Sequence, residues 1–305
     1  MKNNILLVLA VLILLSGCIE EQSIEELQPE ESAPSADVPS DYSQTNDNES
    51  IKIATFNIQT FGLSKSSKPE VMEILTKIAR NFDVMAVQEF RDSTNATIGF
   101  YLDAINSLAG PKYDVVYSPR LGRTTSKEQY AIYFNKEKVQ YIAGSGFIFD
   151  DADNVFEREP YFARFKAGEF DFVIANIHVK PDDAKAEIRA LGSAVEDTKK
   201  IADEDDFIVL GDFNADCSYY NEDNKEEDFG AGYNWIVEDS KDTTTKSTNC
   251  TYDRIVITDS AMEDYVENYD VFNFYAKYNI SQSLAEDVSD HYPVWAEFYT
   301  DKDTD

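Results

Sequence analysis

Histidine is almost missing from this chain: among 305 residues there are two, His178 and His291. Both lie in short polar clusters, Asn176-Ile177-His178 and Ser289-Asp290-His291. Imidazole is the side chain whose ordinary pKa lies nearest neutrality, so spending both copies beside strand ends points to proton transfer in catalysis. Basic residues are scarce as well, 27 Lys and Arg against 58 Asp and Glu, a net charge of −31. That balance argues against a non-catalytic module that grips nucleic acid by static phosphate neutralisation. It leaves a nuclease open, because divalent cations in an acidic site bridge to phosphate and salt screens the remaining repulsion. A solubility adaptation to a salty habitat is the alternative source of the acidity.

The apolar run from Ile5 to Leu15, behind Lys2, is too short to span a bilayer comfortably and ends in Leu15-Ser16-Gly17-Cys18. It looks like an export signal over residues 1–18 with a lipoprotein box. Cleavage before Cys18 would leave a lipid-bearing cysteine at the new N-terminus, holding the protein on the outer face of a membrane. The alternative is an ordinary secretory signal with an incidental cysteine; the mature protein is exported in both cases. Residues 19–50 hold ten acidic residues and no Lys or Arg, a stretch that buries too little to offset its ordering entropy and reads as a disordered tether. Residues 1–50 account for −9 of the charge (one Lys, ten acids), leaving −22 on 51–305. That remaining length suits one large domain with a sizeable core, expected as a monomer.

Cysteine is nearly absent too, with three in all. If Cys18 carries lipid, Cys217 and Cys250 remain as a pair in an oxidising compartment, where a disulfide worth roughly 3 to 4 kcal/mol is expected. Two free buried thiols are the alternative. Apolar periodicity predicts strands at 51–57, 84–87, 113–118, 129–134, 160–165, 170–178, 206–211, 252–258 and 293–299. Ser67, Pro69 and Glu70 mark a helix start before Val71, Ile74, Leu75 and Ile78, and further helices are expected at 95–108 and 184–203. So many strands with few long helices imply two packed sheets covered by helices.

Polar groups end those strands abruptly: Asn57, Gln88-Glu89, His178, Gly211-Asp212-Phe213-Asn214 and, before the last strand, Asp290-His291. One such ending is as often structural as functional, since a buried polar group is commonly satisfied by backbone. Five of them, holding both histidines, point to a site built by loops on a rigid scaffold.

The strings Ile53-Ala54-Thr55-Phe56-Asn57-Ile58, Gln88-Glu89-Phe90-Arg91-Asp92, Gly211-Asp212-Phe213-Asn214-Ala215-Asp216-Cys217-Ser218-Tyr219, Thr248-Asn249-Cys250-Thr251-Tyr252-Asp253-Arg254-Ile255-Val256 and Ser289-Asp290-His291-Tyr292-Pro293-Val294 occur in this order. Together with Leu121-Gly122-Arg123, Lys127-Glu128 and Arg158-Glu159-Pro160, they resemble the endonuclease/exonuclease/phosphatase superfamily, and within it the deoxyribonuclease I-like branch. The resemblance implies a four-layer α/β/β/α sandwich of two packed mixed sheets and a DNA endonuclease activity. It implies His178 and His291 as general acid and base in an unassigned order, with Glu128 and Asp253 as their carboxylate partners. Glu89 and Asp290, with Asp212, match metal ligands, and Asp212, Asn57 and Asn214 match groups that orient metal, phosphate or nucleophile. Carboxylate oxygens suit Mg²⁺ or Mn²⁺.

On the recognition side the resemblance implies DNA contacts, expected with double-stranded DNA, from Arg91, Arg158 and Tyr219. A surface ion pair is the competing role for either arginine. Ser126 stands where the family has an aromatic residue, which predicts a weaker grip on the duplex. Asp242, Thr244 and Thr248 resemble one structural Ca²⁺ loop, although Lys246 replaces a threonine there; Asp150, Asp151 and Asp153 resemble a second, shortened one. Two rival functions remain at this level: a phospholipid or small-molecule phosphodiesterase or phosphatase of the same fold, and a non-catalytic surface-binding lipoprotein.

Overall fold

The computed structural model describes residues 49–303. The export signal, Cys18 and the acidic stretch up to residue 48 lie outside the described residues. Six strands form the first sheet: β1 (Ser50–Phe61), β2 (Val84–Phe90), β3 (Tyr113–Tyr117), β4 (Gln129–Asn135), β12 (Tyr265–Val271) and β13 (Val294–Tyr299), in the order β12-β13-β1-β2-β4-β3. The second holds β5 (Gln140–Tyr141), β6 (Phe147–Ile148), β7 (Tyr161–Ala167), β8 (Phe170–His178), β9 (Phe207–Asp212), β10 (Tyr233–Trp235) and β11 (Asp253–Thr258), in the order β10-β11-β9-β8-β7-β5 with β6 also on β7.

Each sheet contains one parallel pair, β1 with β2 and β8 with β9; the other pairs are antiparallel. Parallel neighbours require a crossover, and helices supply it. Between β1 and β2 run α1 (Leu63–Ser66) and α2 (Pro69–Ala79); between β8 and β9 runs α4 (Ala184–Ala202). Proline at the first position of α2 suits a helix start, and Val71, Ile74, Leu75 and Ile78 form its buried face. With α3 (Ala96–Ser107), α2 covers the outer side of the first sheet against Phe56, Met85, Val87 and Tyr133. On the far side α4 lays Ile188, Leu191 and Val195 over Val173, Ala175, Ile177 and Val209. The result is the expected four-layer sandwich.

Strand alternation explains both the core and the site. On β1, Ile51 and Ile53 face the second sheet while Ala54, Phe56 and Ile58 face the helices. Between the sheets these meet Ile174 of β8, Ile208 and Leu210 of β9 and Ile255 of β11. Continuing the same inward rows, period two gives Thr55 and Asn57 on β1, Asn176 and His178 on β8, Asp212 on β9 and Asp253 on β11. The inter-sheet layer is therefore apolar in its middle and polar at one end. The transition is made by Gln88, whose Nε2 donates to Thr55 Oγ1 at 2.8 Å and to Asn176 Oδ1 of the opposite sheet at 2.7 Å.

Elements without a sequence signal are short or exposed. Edge strand β12 is half-buried and polar, β5 and β6 have two residues each, and α5 (Lys225–Phe229), α6 (Phe274–Tyr278) and α7 (Gln282–Val288) are five to seven residues long. Segments so short show too few turns to display a period.

Candidate active site

Register, rather than sequence proximity, assembles the candidate catalytic row. In the parallel β8/β9 pair His178 stands opposite Asp212, and in the antiparallel β9/β11 pair Asp212 stands opposite Asp253. Gly211 permits the close approach. Its φ is +152°, and a Cβ there would lie 1.9 Å from the Ile177 carbonyl oxygen, so the preceding residue of β9 must lack a side chain.

Each histidine is fixed by a buried carboxylate. His178 Nδ1 is 2.8 Å from Glu128 Oε2, and His291 Nδ1 is 2.8 Å from Asp253 Oδ2. An acceptor at Nδ1 places a proton on that nitrogen and turns Nε2 toward the site. Both Nε2 atoms approach the same oxygen, Asp212 Oδ2, at 3.5 Å from His178 and 3.6 Å from His291. Burial opposes charge on either ring. For His178 the Glu128 carboxylate outweighs burial and the pKa is raised; for His291 the Asp253 and Asp212 carboxylates push it up to about 10. Two imidazoles able to hold protons thus converge on one anionic oxygen.

The carboxylate side of the site is tied together by Asn57. Its Nδ2 donates to Glu89 Oε1 at 3.1 Å and to Asp212 Oδ2 at 3.0 Å. Burial would raise the Glu89 carboxyl, but the charges of His178 and Arg91, the Thr60 N–H and the Asn57 amide outweigh it and pull the group down to about 2. These contacts favour the ionised form of Glu89. Asn214 is held in place, its N–H on Asp212 Oδ1 at 3.0 Å and its Nδ2 on the Val179 carbonyl at 2.9 Å. Asp290 lies further out, with Oδ1 3.9 Å from His291 Nε2 and Oδ2 3.0 Å from Lys246 Nζ.

The carboxylate oxygens of Glu89 and Asp212, joined through Asn57 Nδ2, are of the donor type that suits a hard divalent cation. Among the described residues a tighter trio of ligand atoms is Asp212, Asp253 and His291, all within 4.8 Å. Within it, however, Asp253 and His291 bond to each other, which makes them an orienting pair rather than two free ligands.

The residues expected to touch substrate divide into inner and outer groups. Arg158 is buried: its Nε and Nη2 donate to the His178 carbonyl at 3.1 and 3.0 Å, and its Nη1 is 3.3 Å from Glu128 Oε1. Those contacts buttress His178 from behind. Arg91 is partly exposed and bridges Glu89 and Glu128 at 3.3 and 2.8 Å, with a further bond to Ser126 Oγ. Tyr219 is 41% exposed, its ring 5.6 Å from Tyr252, which in turn lies 6.2 Å from the His291 ring. Close by, Cys217 and Cys250 form a disulfide with a Cα–Cα distance of 5.9 Å.

The 242–248 loop lies against the segment that carries Asp290 and His291. It pairs with the 290–292 segment through Thr245 N–H to the Asp290 carbonyl at 2.9 Å and Tyr292 N–H to the Thr243 carbonyl at 2.7 Å. Asp242 Oδ1 accepts from Thr244 Oγ1 at 2.8 Å, and Thr244 Oγ1 lies 3.1 Å from Thr248 Oγ1, so three expected ligand oxygens do cluster. Asp150 and Asp153 are exposed, and Asp151 Oδ2 is occupied by the Phe156 N–H at 2.8 Å. Sequence reasoning missed two buried ionisable side chains at the site, and burial raises the carboxyl of one of them, Glu187, to about 7. Glu187 of α4 accepts the N–H groups of Glu157 and Lys180 at 2.9 and 3.1 Å, and Lys65 of α1 binds the carbonyls of Ile58 and Gln59. A lone charged residue in a helix carries no mark of burial, so neither had a signal.

The Endonuclease/Exonuclease/phosphatase family model matches residues 54–291. The chain belongs to that family. Among relatives within this family, Deoxyribonuclease-1 of Oryctolagus cuniculus is 36% identical over 258 residues, covering 80% of this chain and 91% of that protein. Deoxyribonuclease-1-like 1 of Homo sapiens is 32% identical over 260 residues, covering 83% and 85%. Two solved structures from Bacteroides thetaiotaomicron share the fold: an endonuclease/exonuclease/phosphatase family protein (TM-score 0.58, 18% identity, 83% of this chain and 98% of that one) and a mannosyl-6-phosphatase (TM-score 0.53, 17% identity, 81% and 99%).

Proposed function

We propose that this chain is an exported, lipid-anchored, metal-dependent endodeoxyribonuclease that hydrolyses DNA phosphodiester bonds with two histidines as acid and base. The observation that carries the reading is the pair of buried Nδ1–carboxylate contacts whose Nε2 atoms share one Asp212 oxygen. Phosphodiester hydrolysis needs a proton removed from the attacking water and a proton delivered to the leaving oxygen. One imidazole takes the first and the other supplies the second. Glu128 and Asp253 hold the two tautomers, and Arg158 keeps the His178 backbone in place.

Mg²⁺ or Mn²⁺, held by Glu89 with Asp212 and Asp290, would supply charge neutralisation on the phosphate. Arg91, partly exposed where it bridges Glu89 and Glu128, would meet the DNA backbone, and Tyr219 and Tyr252 offer an aromatic rim for sugar or base. The kinship with proteins named deoxyribonuclease supports DNA as substrate. The lipid anchor rests on Lys2, the Ile5–Leu15 run and Cys18. Calcium is proposed for the Asp242, Thr244 and Thr248 oxygens alone. Titrating Ca²⁺ into metal-free protein should release heat and raise the melting temperature; the absence of both changes would overturn this part of the reading.

The decisive experiment is nicking of supercoiled plasmid by purified protein with Mg²⁺ or Mn²⁺, beside His178→Ala and His291→Ala. Each substitution is expected to cost roughly 10²- to 10⁴-fold in rate. Undiminished cutting by either variant refutes the acid–base pair. No cutting by wild type, together with release of a phospholipid headgroup, would install the phospholipid reading instead.

A further inference from the structure

Lys65 is the only buried lysine among the described residues. It sits on α1, a single turn, and its Nζ donates to the Ile58 carbonyl at 2.7 Å and to the Gln59 carbonyl at 2.8 Å. Those carbonyls belong to an irregular stretch of β1. Asn57 pairs with Gln88 and Phe61 with Phe90, so Ile58, Gln59 and Thr60 stand against Glu89 alone. Gln59 and Thr60 have φ of +46° and +49°, and Glu89 has +69°. Side-chain-bearing residues avoid this left-handed region unless other contacts enforce it.

The bulge has two faces. Its carbonyls meet the Lys65 ammonium, while its N–H groups point into the site. Gln59 N–H donates to Asn57 Oδ1 at 2.9 Å, and Thr60 N–H and Oγ1 donate to Glu89 Oε2 at 2.7 and 3.1 Å. Successive N–H groups in such a turn form a concave anion-binding nest. Occupying Asn57 Oδ1 fixes the carboxamide so that its Nδ2 serves Glu89 and Asp212. Burying an ammonium is costly, and desolvation brings Lys65 down to about 8 despite the opposing charges of Asp290 and Glu89. A surface-exposed lysine would stabilise the fold with less penalty.

We propose that Lys65 is a positioning residue for the candidate metal site: by clamping the carbonyls of the 58–60 bulge, it aims the bulge N–H groups at Asn57 and Glu89 and so pre-organises the metal-facing oxygens. The inference rests on the reading that Glu89 holds the divalent cation. It makes a prediction of sign. If Lys65 acted only as a nearby positive charge, neutralising it would tighten cation binding; if it positions the carboxylate, neutralising it loosens binding.

The test is Mn²⁺ binding to the metal-free full chain, followed by calorimetry and electron paramagnetic resonance, for wild type, Lys65→Met and Lys65→Gln, with thermal unfolding to establish that each is folded. Lys65→Met is expected to raise the Mn²⁺ dissociation constant by about tenfold or more, as for other outer-shell partners. DNA cleavage by this variant should recover most of its rate at saturating Mn²⁺, a split that general destabilisation does not produce. Unchanged or tighter Mn²⁺ binding by folded Lys65→Met overturns the proposal. Should that variant fail to fold, Lys65→Gln decides by the same criterion, weaker binding supporting the proposal and unchanged or tighter binding overturning it. Glu89→Gln is the control: if it leaves Mn²⁺ affinity at the wild-type value, the metal-site reading itself falls.

Discussion

Two imidazoles that lean on one carboxylate oxygen cannot hold their protons as isolated groups would. The consequence is measurable at His291, pushed up to about 10 from 6.5 because Asp253 and Asp212 outweigh burial. Between those two pH values the folded chain binds a proton that the unfolded chain has released. The stabilisation is complete below about pH 6.5 and disappears as pH rises through about 10. The urea midpoint of metal-free wild type should therefore fall more steeply from pH 7 to 10 than that of His291→Ala. Lys65, shifted downward to about 8, contributes with opposite sign but is common to both proteins and drops out of the comparison. Parallel curves would show that the Asp253–His291 contact does not hold a proton. At this scale the residue types were legible in sequence, since both histidines, Glu89, Asp212 and Asn57 stand at strand ends. Their partners Glu128 and Asp253 entered only through family resemblance, because a separation of 50 or 38 residues leaves no local trace.

At the scale of elements, the parallel β8/β9 pair decides whether His178 and Asp212 face each other. Its narrowest point is Gly211 against Ile177. Gly211→Ala should cost about 2–4 kcal/mol, combining the left-handed φ penalty with overlap on a backbone carbonyl that cannot move alone. Plasmid cleavage should drop with it, since the clash lies one residue from both catalytic groups. A loss below about 1 kcal/mol in urea unfolding would show that β9 can shift freely, and the register would not be what fixes the site. The long helices and central strands were readable because apolar residues recur along them with period 3.6 or 2. Strand β12 and the short helices were not, because their residues are stabilised by docking on neighbours rather than by an amphipathic pattern of their own.

At the scale of the whole molecule, net charge and the N-terminal run pose a question of address. A chain of −31 has no electrostatic attraction for an anionic membrane surface, so attachment would depend on lipid at Cys18. Replacing Cys18 with Ser should move the protein from the membrane fraction to the medium while the released protein keeps cutting plasmid. Continued membrane association of a variant shown to have lost the Ile5–Leu15 run would discard the lipid anchor. The same acidity makes divalent cation the natural intermediary between this surface and a polyanion, which is why chelation is expected to abolish cleavage rather than slow it.

The sequence by itself determined the layered α/β architecture, the strands that carry the site and the residue types available there, because periodicity and strand-end polarity are properties of neighbours along the chain. Tertiary structure decided what those residues do to one another. It turned Arg158 inward behind His178, joined Asn57 to both Glu89 and Asp212, buried Lys65 under a left-handed bulge and set the 242–248 loop against Asp290 and His291. The physical reason is that orientation and burial depend on strand register and sheet stacking, which are fixed by packing across many residues and are invisible to any single stretch.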